Sequence, residues 1–465
     1  MTALRSSSRL WIFLVGIVAL SFAALPLFAS GQKQAPSSTT SAVSGPTLKI
    51  VYQQYGGGTQ YQTWFKSVAN QYEKMYPGRK VVLEPIAASE NQYYTKLDLM
   101  QQSQRTAPDV LVEDTFLVNS DASAGYLLSL NKYVQNWSAW DTHFYHAMQL
   151  AAESVNGTVY GVPFNTDTRG IWYDMPMLKK LGYSIPWQPT SWAQVLAVAR
   201  KVKQTMPGVI PFWFYSGRPM GEASTMQGFE MLDYGTGNPI YSRSAKKWVV
   251  KSPGFLDSLD FIHTIFSQNL AEPLQDALTP QSEVLASQQL MPKQKVAMLL
   301  TGEWVFNNWL PTGAHPWPNW YKVYGLAKMP DQNGGGFTSL SGGWVLSISS
   351  KSKHPNASWD FIKLACNEPN MLKIDLLLGN VSPRKDVAAT SKFKDFAHGI
   401  LSRATSFDAF TYFRPAYAVY PKISNDIQSA MQNVMTGSDT PQQAMAAYAR
   451  RVTDLVGASN VKTIH

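Results

Sequence analysis

The stretch VYGVPFNTDTRGIWYD, residues 159–174, decides more about the fold than any other part of this chain. It predicts a strand, a short polar turn and a second strand, because apolar and aromatic residues flank a polar centre. Polar groups held between two stiff strands are well placed to bind a ligand, although an ordinary surface turn would have the same composition. The polar centre consists of Asn165, Thr166, Asp167, Thr168 and Arg169.

The amino-terminal residues predict an export signal. Arg5 and Arg9 precede an apolar run over residues 11–28, and small residues follow it. We expect a cleaved signal peptide over residues 1–30, with an uncleaved membrane anchor as the alternative, because the run is almost long enough to span a bilayer. No cysteine for lipid attachment lies nearby. Residues 31–46, GQKQAPSSTTSAVSGP, predict a flexible linker, so the protein is expected in the periplasm or at the cell surface.

The composition favours a globular protein that does not bind nucleic acid. Of 465 residues, 45% are hydrophobic and 15% are charged, which is enough to build a core. The net charge of +9 falls to +7 without residues 1–30, and the remaining basic residues are dispersed, whereas a nucleic-acid binder concentrates them on one face. The single cysteine, Cys366, lies in an apolar helical pattern and is expected to be buried.

The first part of the chain alternates strands and helices. Strands are predicted at residues 48–52, 81–83 and 109–112, and helices at 61–75 and 91–104. This order predicts a parallel sheet with right-handed crossovers, and ligands bind beyond the carboxyl ends of the strands in such sheets. The residues expected at those ends are Gln53, Gln54, Tyr55, Glu113, Asp114 and Thr115.

The later part of the chain adds a strand that ends near a tryptophan, and two helix starts. The apolar strand within residues 285–309 ends at Gly302 and leads to Trp304. Further strands are predicted at 323–328 and 344–349. Two sequences fit a capping box at a helix start, Ser191 with Gln194 and Thr440 with Gln443.

Common catalytic and metal-binding motifs are absent from the sequence. It contains no Walker A sequence, no H-E-x-x-H, no C-x-x-C and no G-x-S-x-G. His143 and His146 share a helical face but lack a third ligand, so we expect neither a metal site nor a cofactor. A glycosidase pair of carboxylates could be drawn only from Glu113, Asp114 and Asp167, and nothing in the sequence determines their separation.

Six segments, in order, resemble the extracellular solute-binding proteins of ABC transporters, in the carbohydrate-binding group that includes maltose-binding protein. Asp174 departs from the family, which usually has Asn there, and it is expected to lie outside the binding site. The missing lipoprotein cysteine is a second departure. The matching segments are GYLLSLNKYV from Gly125, YGVPFNTDTRGIWYD with LKKLG and PTSW, KVAMLLTGEW, GGWVLSISSKSKHPNASWDFIKLAC, GNVSPRKDV and TPQQAMAAYARRV.

The resemblance implies an α/β fold of two lobes, each a mainly parallel sheet flanked by helices, joined by hinge crossovers. Lobe one would comprise residues 47–163 and 323–350, and lobe two residues 164–322 and 351–465. A sugar or oligosaccharide would bind in the cleft and the lobes would close on it. The closed protein would then deliver the sugar to the permease subunits of an ABC importer. We expect a monomer without catalytic activity.

Sugars present hydroxyls, which suit carboxylates, amides and arginine, and C–H faces, which suit aromatic rings. Asp114 and Asp167 are expected to accept hydroxyl hydrogen bonds, and Trp304 and Trp344 to stack on the sugar. Arg169 either assists binding or pairs with Asp167 as part of the scaffold. The remaining candidates are Asn165, Tyr55, Trp213, Tyr215 and Arg384.

Two alternatives remain open at the level of the sequence. One is a secreted glycoside hydrolase or lyase. The other is the same scaffold binding a non-sugar solute such as a polyamine or a phosphate ester. Several aromatic residues, with few acids expected in the cleft, favour a neutral sugar over a polyamine.

Overall fold

The computed structural model describes residues 45–54, 58–415 and 417–465. The predicted signal peptide, nearly all of the predicted linker and the candidate Tyr55 lie outside the described residues. None of the helices within the described ranges combines the length and apolar character needed to cross a bilayer.

Strands and helices alternate through most of the described chain. The strands are β1 Thr47–Gln54, β2 Lys80–Ala87, β3 Val110–Asp114, β4 Gly161–Asn165, β5 Arg169–Asp174, β6 Tyr241–Ser242, β7 Lys247–Lys251, β8 Met298–Gly302, β9 Tyr324–Ala327, β10 Met329–Pro330, β11 Phe337–Ser341, β12 Trp344–Ile348, β13 Thr411–Phe413 and β14 Val461–Thr463. The α-helices are α1 Gln60–Met75, α2 Glu90–Gln101, α3 Val118–Ser123, α4 Asn131–Val134, α5 Ser138–His143, α6 His146–Ala151, α7 Met175–Lys180, α8 Trp192–Thr205, α9 Glu230–Asp233, α10 Pro253–Ser267, α11 Leu274–Ala277, α12 Ser282–Val284, α13 Pro355–Ala365, α14 Glu368–Leu378, α15 Lys385–Ala389, α16 Ser391–Lys394, α17 Ile400–Thr405, α18 Tyr420–Thr436 and α19 Pro441–Val456.

The first sheet has the strand order β2–β1–β3–β12–β4. β1 pairs in parallel with β2 and β3, whereas β12 pairs antiparallel with β3 and β4. Four strands therefore run in one direction and β12 runs against them. β3 and β4 are buried along their whole length, as expected of a sheet that is covered on both faces.

The second sheet repeats this arrangement. Its order is β8–β5–β9, and β5 is antiparallel to both neighbours. Ile210 and Trp213 form parallel bridges with Val296 and Leu299, which extends the sheet beyond β8. In each of these two sheets, one strand runs against the others. The first sheet is mainly parallel, as predicted, whereas β5 in the second sheet is antiparallel to both β8 and β9.

The polar turn at residues 165–169 is not a hairpin, because β4 and β5 belong to different sheets. The chain returns through Gly342 and Gly343, which lie between β11 and β12. The two crossings lie side by side, since Thr166 Oγ1 donates a hydrogen bond to the Gly342 carbonyl at 3.0 Å. Gly343 has a φ of 127°, and a Cβ atom there would lie 2.4 Å from the Asn165 carbonyl oxygen, so only glycine fits. The sequence pattern predicts the two strands but carries no information on which sheet each one joins.

Helices α1, α13 and α14 pack together beside the first sheet. Trp64 of α1 is fully buried, and its Nε1 donates to the Asn370 carbonyl at 2.8 Å. Tyr72 Oη donates to the Ala357 carbonyl at 3.0 Å. The predicted boundaries assign α13 and α14 to lobe two and β9 to lobe one, yet these contacts join α13 and α14 to α1, and β9 pairs with β5.

The two predicted capping boxes have different outcomes. Thr440 and Gln443 form a complete capping box at the start of α19, as predicted. The prediction at Ser191 is wrong, because its side chain makes no capping hydrogen bond and Gln194 Oε1 instead accepts from the Thr190 N–H at 2.9 Å. Cys366 is buried, as expected.

Candidate ligand-binding site

A cavity of about 290 Å³ is lined by strand ends from both sheets. The first sheet contributes Asp114 and Asn165, the last residues of β3 and β4, together with Trp344, the first residue of β12. Trp344 is opposite both Asp114 and Asn165 in the register, which brings the three to one edge. The second sheet contributes Arg169, which pairs with Gly302, and Trp304 just beyond it. The cavity thus lies at the edges where ligands bind in sheets of this type.

Six of the ten candidate residues line this cavity: Asp114, Asn165, Asp167, Arg169, Trp304 and Trp344. Three others, Trp213, Tyr215 and Arg384, do not line it, and Tyr55 lies outside the described residues. Contact with a ligand stays a prediction for all six.

Asp167 and Arg169 form a buried ion pair at the first crossing. Asp167 Oδ1 accepts a hydrogen bond from Arg169 Nη1 and another from the Gly342 N–H at 2.8 Å. Arg169 Nη1 also donates to the Leu340 carbonyl at 2.9 Å. The pair therefore joins the two crossing segments, which is the scaffold role considered for Arg169. No described residue donates to Asp167 Oδ2, so this oxygen is available to a ligand.

Trp304 is held over Gly302 at the wall of the cavity. A Cβ atom at position 302 would lie 1.7 Å from the Trp304 ring, so the indole takes the space that any side chain there would need. Arg169 lies 5.0 Å from the centre of the ring. Trp304 Nε1 donates to Glu283 Oε1 at 3.0 Å. These contacts fix the orientation of a half-buried indole, as a stacking surface requires.

Trp344 presents a second half-buried indole from the opposite sheet. Its ring packs against Tyr93 and Tyr94, with 6.1 Å between ring centres in each case. Its backbone N–H donates to Asn165 Oδ1 at 2.8 Å. Asn165 Nδ2 in turn donates to Tyr61 Oη at 3.5 Å, which orients the amide at the cavity wall.

Asp114 belongs to a buried network that the sequence analysis missed. Arg414 Nη2 donates to Asp114 Oδ1 at 2.8 Å, and Arg414 Nη1 lies 3.3 Å from Glu222 Oε1. The guanidinium also lies 4.6 Å from the ring centre of Phe116. Arg414 directly follows β13, which pairs with β11 in another sheet in the second half of the molecule. This ion pair therefore joins that half of the molecule to the edge of the first sheet. Arg414 lies in the aromatic stretch TYFRPAY, and an isolated arginine that becomes buried needs a carboxylate partner, which is the one signal that could have identified it.

Glu90, at the start of α2, is a further cavity residue that was not predicted. Tyr94 Oη lies between two carboxylates, contacting Glu90 Oε1 and lying 2.8 Å from Asp114 Oδ2. Burial, followed by the nearby charge of Asp114, raises the pKa of Glu90 to about 7. Burial also raises the pKa of Glu222, although Arg414 opposes this shift.

Two π-helical segments supply further parts of the wall. Met226 lies in Ser224–Phe229, and Ser287 lies in Leu285–Leu290. Segments of this kind are uncommon and occur often at functional sites, because the extra residue re-aims the side chains of a helix. Both of these face the same cavity.

Glu303 connects the crossing segments behind the cavity. Its Oε2 accepts from the Thr168 N–H at 2.9 Å, and its Oε1 accepts from the Val381 N–H at 3.2 Å. Burial, with a smaller contribution from the charge of Asp167, raises the pKa of Glu303 to about 8. Burial thus favours the neutral form of this carboxyl group, which belongs to the frame of the site.

The three described candidates that miss the cavity are packing residues. Trp213 is fully buried, and its Nε1 donates to Ser282 Oγ at 3.1 Å. Tyr215 is also buried. Arg384 donates from Nη1 to the Cys366 carbonyl at 2.8 Å and pairs with Asp386. Aromatic and arginine residues look alike in a sequence whether they pack inside a lobe or line a cleft, and we do not retain these three as ligand contacts.

The cavity offers ring faces and hydrogen-bonding groups. Within the described ranges, no three His, Cys, Asp or Glu residues are grouped so that they could hold a metal ion. Two indoles, an amide, an arginine and several carboxyl groups can together bind a polar ring-shaped molecule by its faces and its edges.

Comparisons with known proteins agree with this architecture. A family model described as bacterial extracellular solute-binding protein matches residues 55–371. A probable ABC transporter-binding protein of Deinococcus radiodurans is 24% identical over 313 residues, which cover 65% of this chain and 70% of that protein.

Solved structures extend the likeness to nearly the whole fold. An ABC transporter solute-binding protein from Thermotoga lettingae TMO, bound with alpha-D-tagatose, has a TM-score of 0.76 and 23% identity over 89% of this chain and 100% of that one. Maltose-bound MalE3 of T. maritima has a TM-score of 0.74 and 21% identity over 88% and 100%. This likeness confirms the predicted two-lobed α/β fold. With the family model spanning well over half of its length, the chain belongs to the bacterial extracellular solute-binding protein family.

Proposed function

We propose that this protein is the extracytoplasmic sugar-binding component of an ABC importer. The observation that carries the proposal is the cavity between the two sheets, which has an indole from each side and hydrogen-bonding groups between them. The relatives solved with tagatose and with maltose support a sugar as the ligand class.

The ligand would contact both sides of the cavity at once. Trp304 and Trp344 would stack on the faces of the sugar, while Asp167 Oδ2 and Asn165 would bond to hydroxyls. Asp114, which is paired with Arg414, would accept hydroxyl hydrogen bonds as part of that pair. Contacts made to both lobes favour the closed form, because binding shifts an existing balance between open and closed states.

The contacts favour lobe boundaries that differ from those predicted. We place residues 45–165 and 344–389 in the first lobe, since α13 and α14 pack on α1 and Arg384 packs on Phe144. The second lobe comprises residues 169–341 and 390–465, since β9 pairs with β5 and Thr168 Oγ1 donates to the Ala404 carbonyl. The hinge then consists of residues 166–168, residues 342–343 and the chain near Thr390.

Membership of the family supports export of this protein and delivery of its ligand to a permease. Extracellular solute-binding proteins work outside the cytoplasm, with an ABC permease as their partner. For this chain we propose a signal peptide over residues 1–30, cleaved or retained as an anchor, and a monomer that binds no nucleic acid. The sugar would be released unchanged, because the family consists of binding proteins.

A titration of intrinsic tryptophan fluorescence tests the proposal. The mature chain, residues 31–465, would be titrated with neutral and aminated monosaccharides and oligosaccharides, and thermal unfolding would be followed in parallel. A ligand present at 100 times its dissociation constant adds about 2.7 kcal/mol to the free energy of unfolding. Chromatography of the recovered ligand then separates a receptor from a hydrolase or lyase. Absence of any sugar response, or consumption of an intact oligosaccharide, would overturn the proposed function.

A further inference from the structure

The cavity is acidic although the protein is basic. Its lining contains five carboxyl groups and two arginines, with no lysine or histidine among the described lining residues. With every group ionised, the lining would carry a charge of −3, whereas the whole chain carries +9. The charged lining residues are Glu90, Asp114, Asp167, Glu222, Glu283, Arg169 and Arg414. The premise that the cleft would contain few acids is therefore wrong.

Both arginines are already committed to carboxylates. Arg169 pairs with Asp167, and both are buried. Arg414 contacts two carboxylates, Asp114 and Glu222, so it cannot neutralise a third. Glu283, which lies beside Trp304 and Arg169, supplies −1 of the charge of the lining. Three carboxyl groups, those of Glu90, Asp114 and Glu222, face the single charge of Arg414, which leaves the remaining −2 on that side of the cavity.

Glu90 is the carboxylate on that side without a basic partner. Its Oε1 contacts Tyr94 Oη, and Oε2 accepts no hydrogen bond from the described residues. Oε2 is also absent from the fully enclosed polar atoms, and Glu90 lines the cavity, so this oxygen can reach a ligand. The same Tyr94 hydroxyl contacts Asp114 Oδ2, so Glu90 and Asp114 lie on the same part of the cavity wall, on either side of this hydroxyl.

We propose that the sugar carries a basic nitrogen, as an amino sugar does, and that its ammonium group binds to the free Oε2 of Glu90, beside Asp114. This inference rests on the proposed function, because the cavity and its two indoles supply the site and the charge selects the class of sugar. An ammonium group donates up to three hydrogen bonds, which suits two carboxylates beside a ring face. Burial and the charge of Asp114 raise the pKa of Glu90 to about 7, and the opposing charge of Arg414 does not cancel this shift.

Matched sugars that differ only in one substituent test this proposal. Glucose, glucosamine and N-acetylglucosamine would be compared by calorimetry with the mature protein, together with galactose, galactosamine and N-acetylgalactosamine and the β-1,4-linked trimers of the glucose series. We expect the amine form to bind at least about tenfold more tightly than the hydroxyl and N-acetyl forms, as for a hydrogen bond to a charged group.

Two variants locate the effect. Glu90→Gln is expected to remove the preference for the amine. Glu368→Gln is the matched control, because Glu368 is likewise the first residue of a helix but does not line the cavity, and it should keep the preference.

The outcomes separate this inference from the proposed function. Neutral sugars that bind as tightly as amino sugars, or a preference that survives Glu90→Gln, would overturn the inference and leave the sugar receptor intact. Putrescine or spermidine binding while no sugar binds would overturn both. So would a failure of every sugar in the panel to bind.

Discussion

Asp114 and Asp167 lie on the same cavity, yet they are held in different ways. Asp167 bonds to the backbone of the second crossing and to Arg169, two residues away, so its contacts stay within the hinge frame. Asp114 pairs with Arg414, which is 300 residues away along the chain and comes from the other half of the molecule. Asp167 therefore stabilises the crossing segments of the hinge. The ion pair of Asp114, by contrast, forms only when the two halves of the molecule are in contact.

Replacing each of the two aspartates in turn is the most direct test of whether they differ in role. Asp167→Ala removes the carboxylate that forms an ion pair with buried Arg169, and we expect it to lower the free energy of unfolding by about 3–5 kcal/mol. Asp114→Ala should cost less stability, because Arg414 keeps Glu222 as a partner. Urea unfolding of the two variants measures both values. Equal losses, or a larger loss for Asp114→Ala, would show that the two carboxylates do not differ in role.

Replacing tryptophans tests the same distinction, between residues that contact the ligand and residues that support the fold. Trp304→Ala is expected to cost about 2–4 kcal/mol of sugar binding, as for a residue that dominates an interface, while the protein remains folded. Fluorescence of the remaining tryptophans and calorimetry would report the affinity.

Trp213→Phe serves as the control for Trp304→Ala. Trp213 is fully buried and does not line the cavity, so its replacement should lower the thermal stability and leave the affinity almost unchanged. Unchanged affinity in Trp304→Ala would reassign Trp304 to packing.

What could be predicted from the sequence follows the same division. Asp167, Arg169 and Trp304 lie next to strands with a clear apolar pattern, so their place at a strand end could be predicted. Arg414 and Glu222 could not be predicted, because their contact joins segments 192 residues apart that have no motif between them. Pairings of this kind arise only from the tertiary fold.

Strands and helices could be predicted more fully than the boundaries of the lobes. β1, α1 and β3 appear where the apolar periodicity places them, within a few residues. The apolar pattern alone does not show which sheet each strand joins, since β4 and β5 have similar patterns and enter different sheets. The lobe boundary predicted near residue 163 came from the family resemblance and not from this pattern. The lobe assignments that we propose to change, those of β9, α13 and α14, have the same cause.

The pH dependence of stability tests whether Glu303 supports the crossing segments behind the cavity. Its pKa is raised from 4.5 to about 8, chiefly by burial, so the folded protein keeps a proton in this range that the unfolded chain releases. The free energy of unfolding should therefore fall as the pH rises between these values. We expect Glu303→Gln to remove about 1–3 kcal/mol of that decrease, measured by urea unfolding at about pH 5, 7 and 8.5.

Glu272→Gln is the matched control for Glu303→Gln. Burial also raises the pKa of Glu272 to about 8, but Glu272 does not line the cavity or bond to the crossing segments. Both variants should flatten the pH dependence of stability, and only Glu303→Gln should alter the pH dependence of sugar affinity. A change of affinity in both variants would argue against a special role for the crossing frame.

A third aspartate, Asp174, provides the smallest expected effect. It is buried outside the cavity, and its Oδ1 accepts from the Met177 N–H at 2.8 Å to cap α7. Burial raises its pKa from 3.8 to about 6, so the free energy of unfolding falls as the pH rises between these values, and the penalty is complete above pH 6. Asn caps a helix as well as Asp does, and we expect Asp174→Asn to raise the free energy of unfolding by about 1 kcal/mol or less at pH 8, with roughly half of that gain at pH 5. Calorimetric unfolding at the two pH values measures this, and a loss of sugar affinity would show that Asp174 belongs with Asp114 and Asp167 after all.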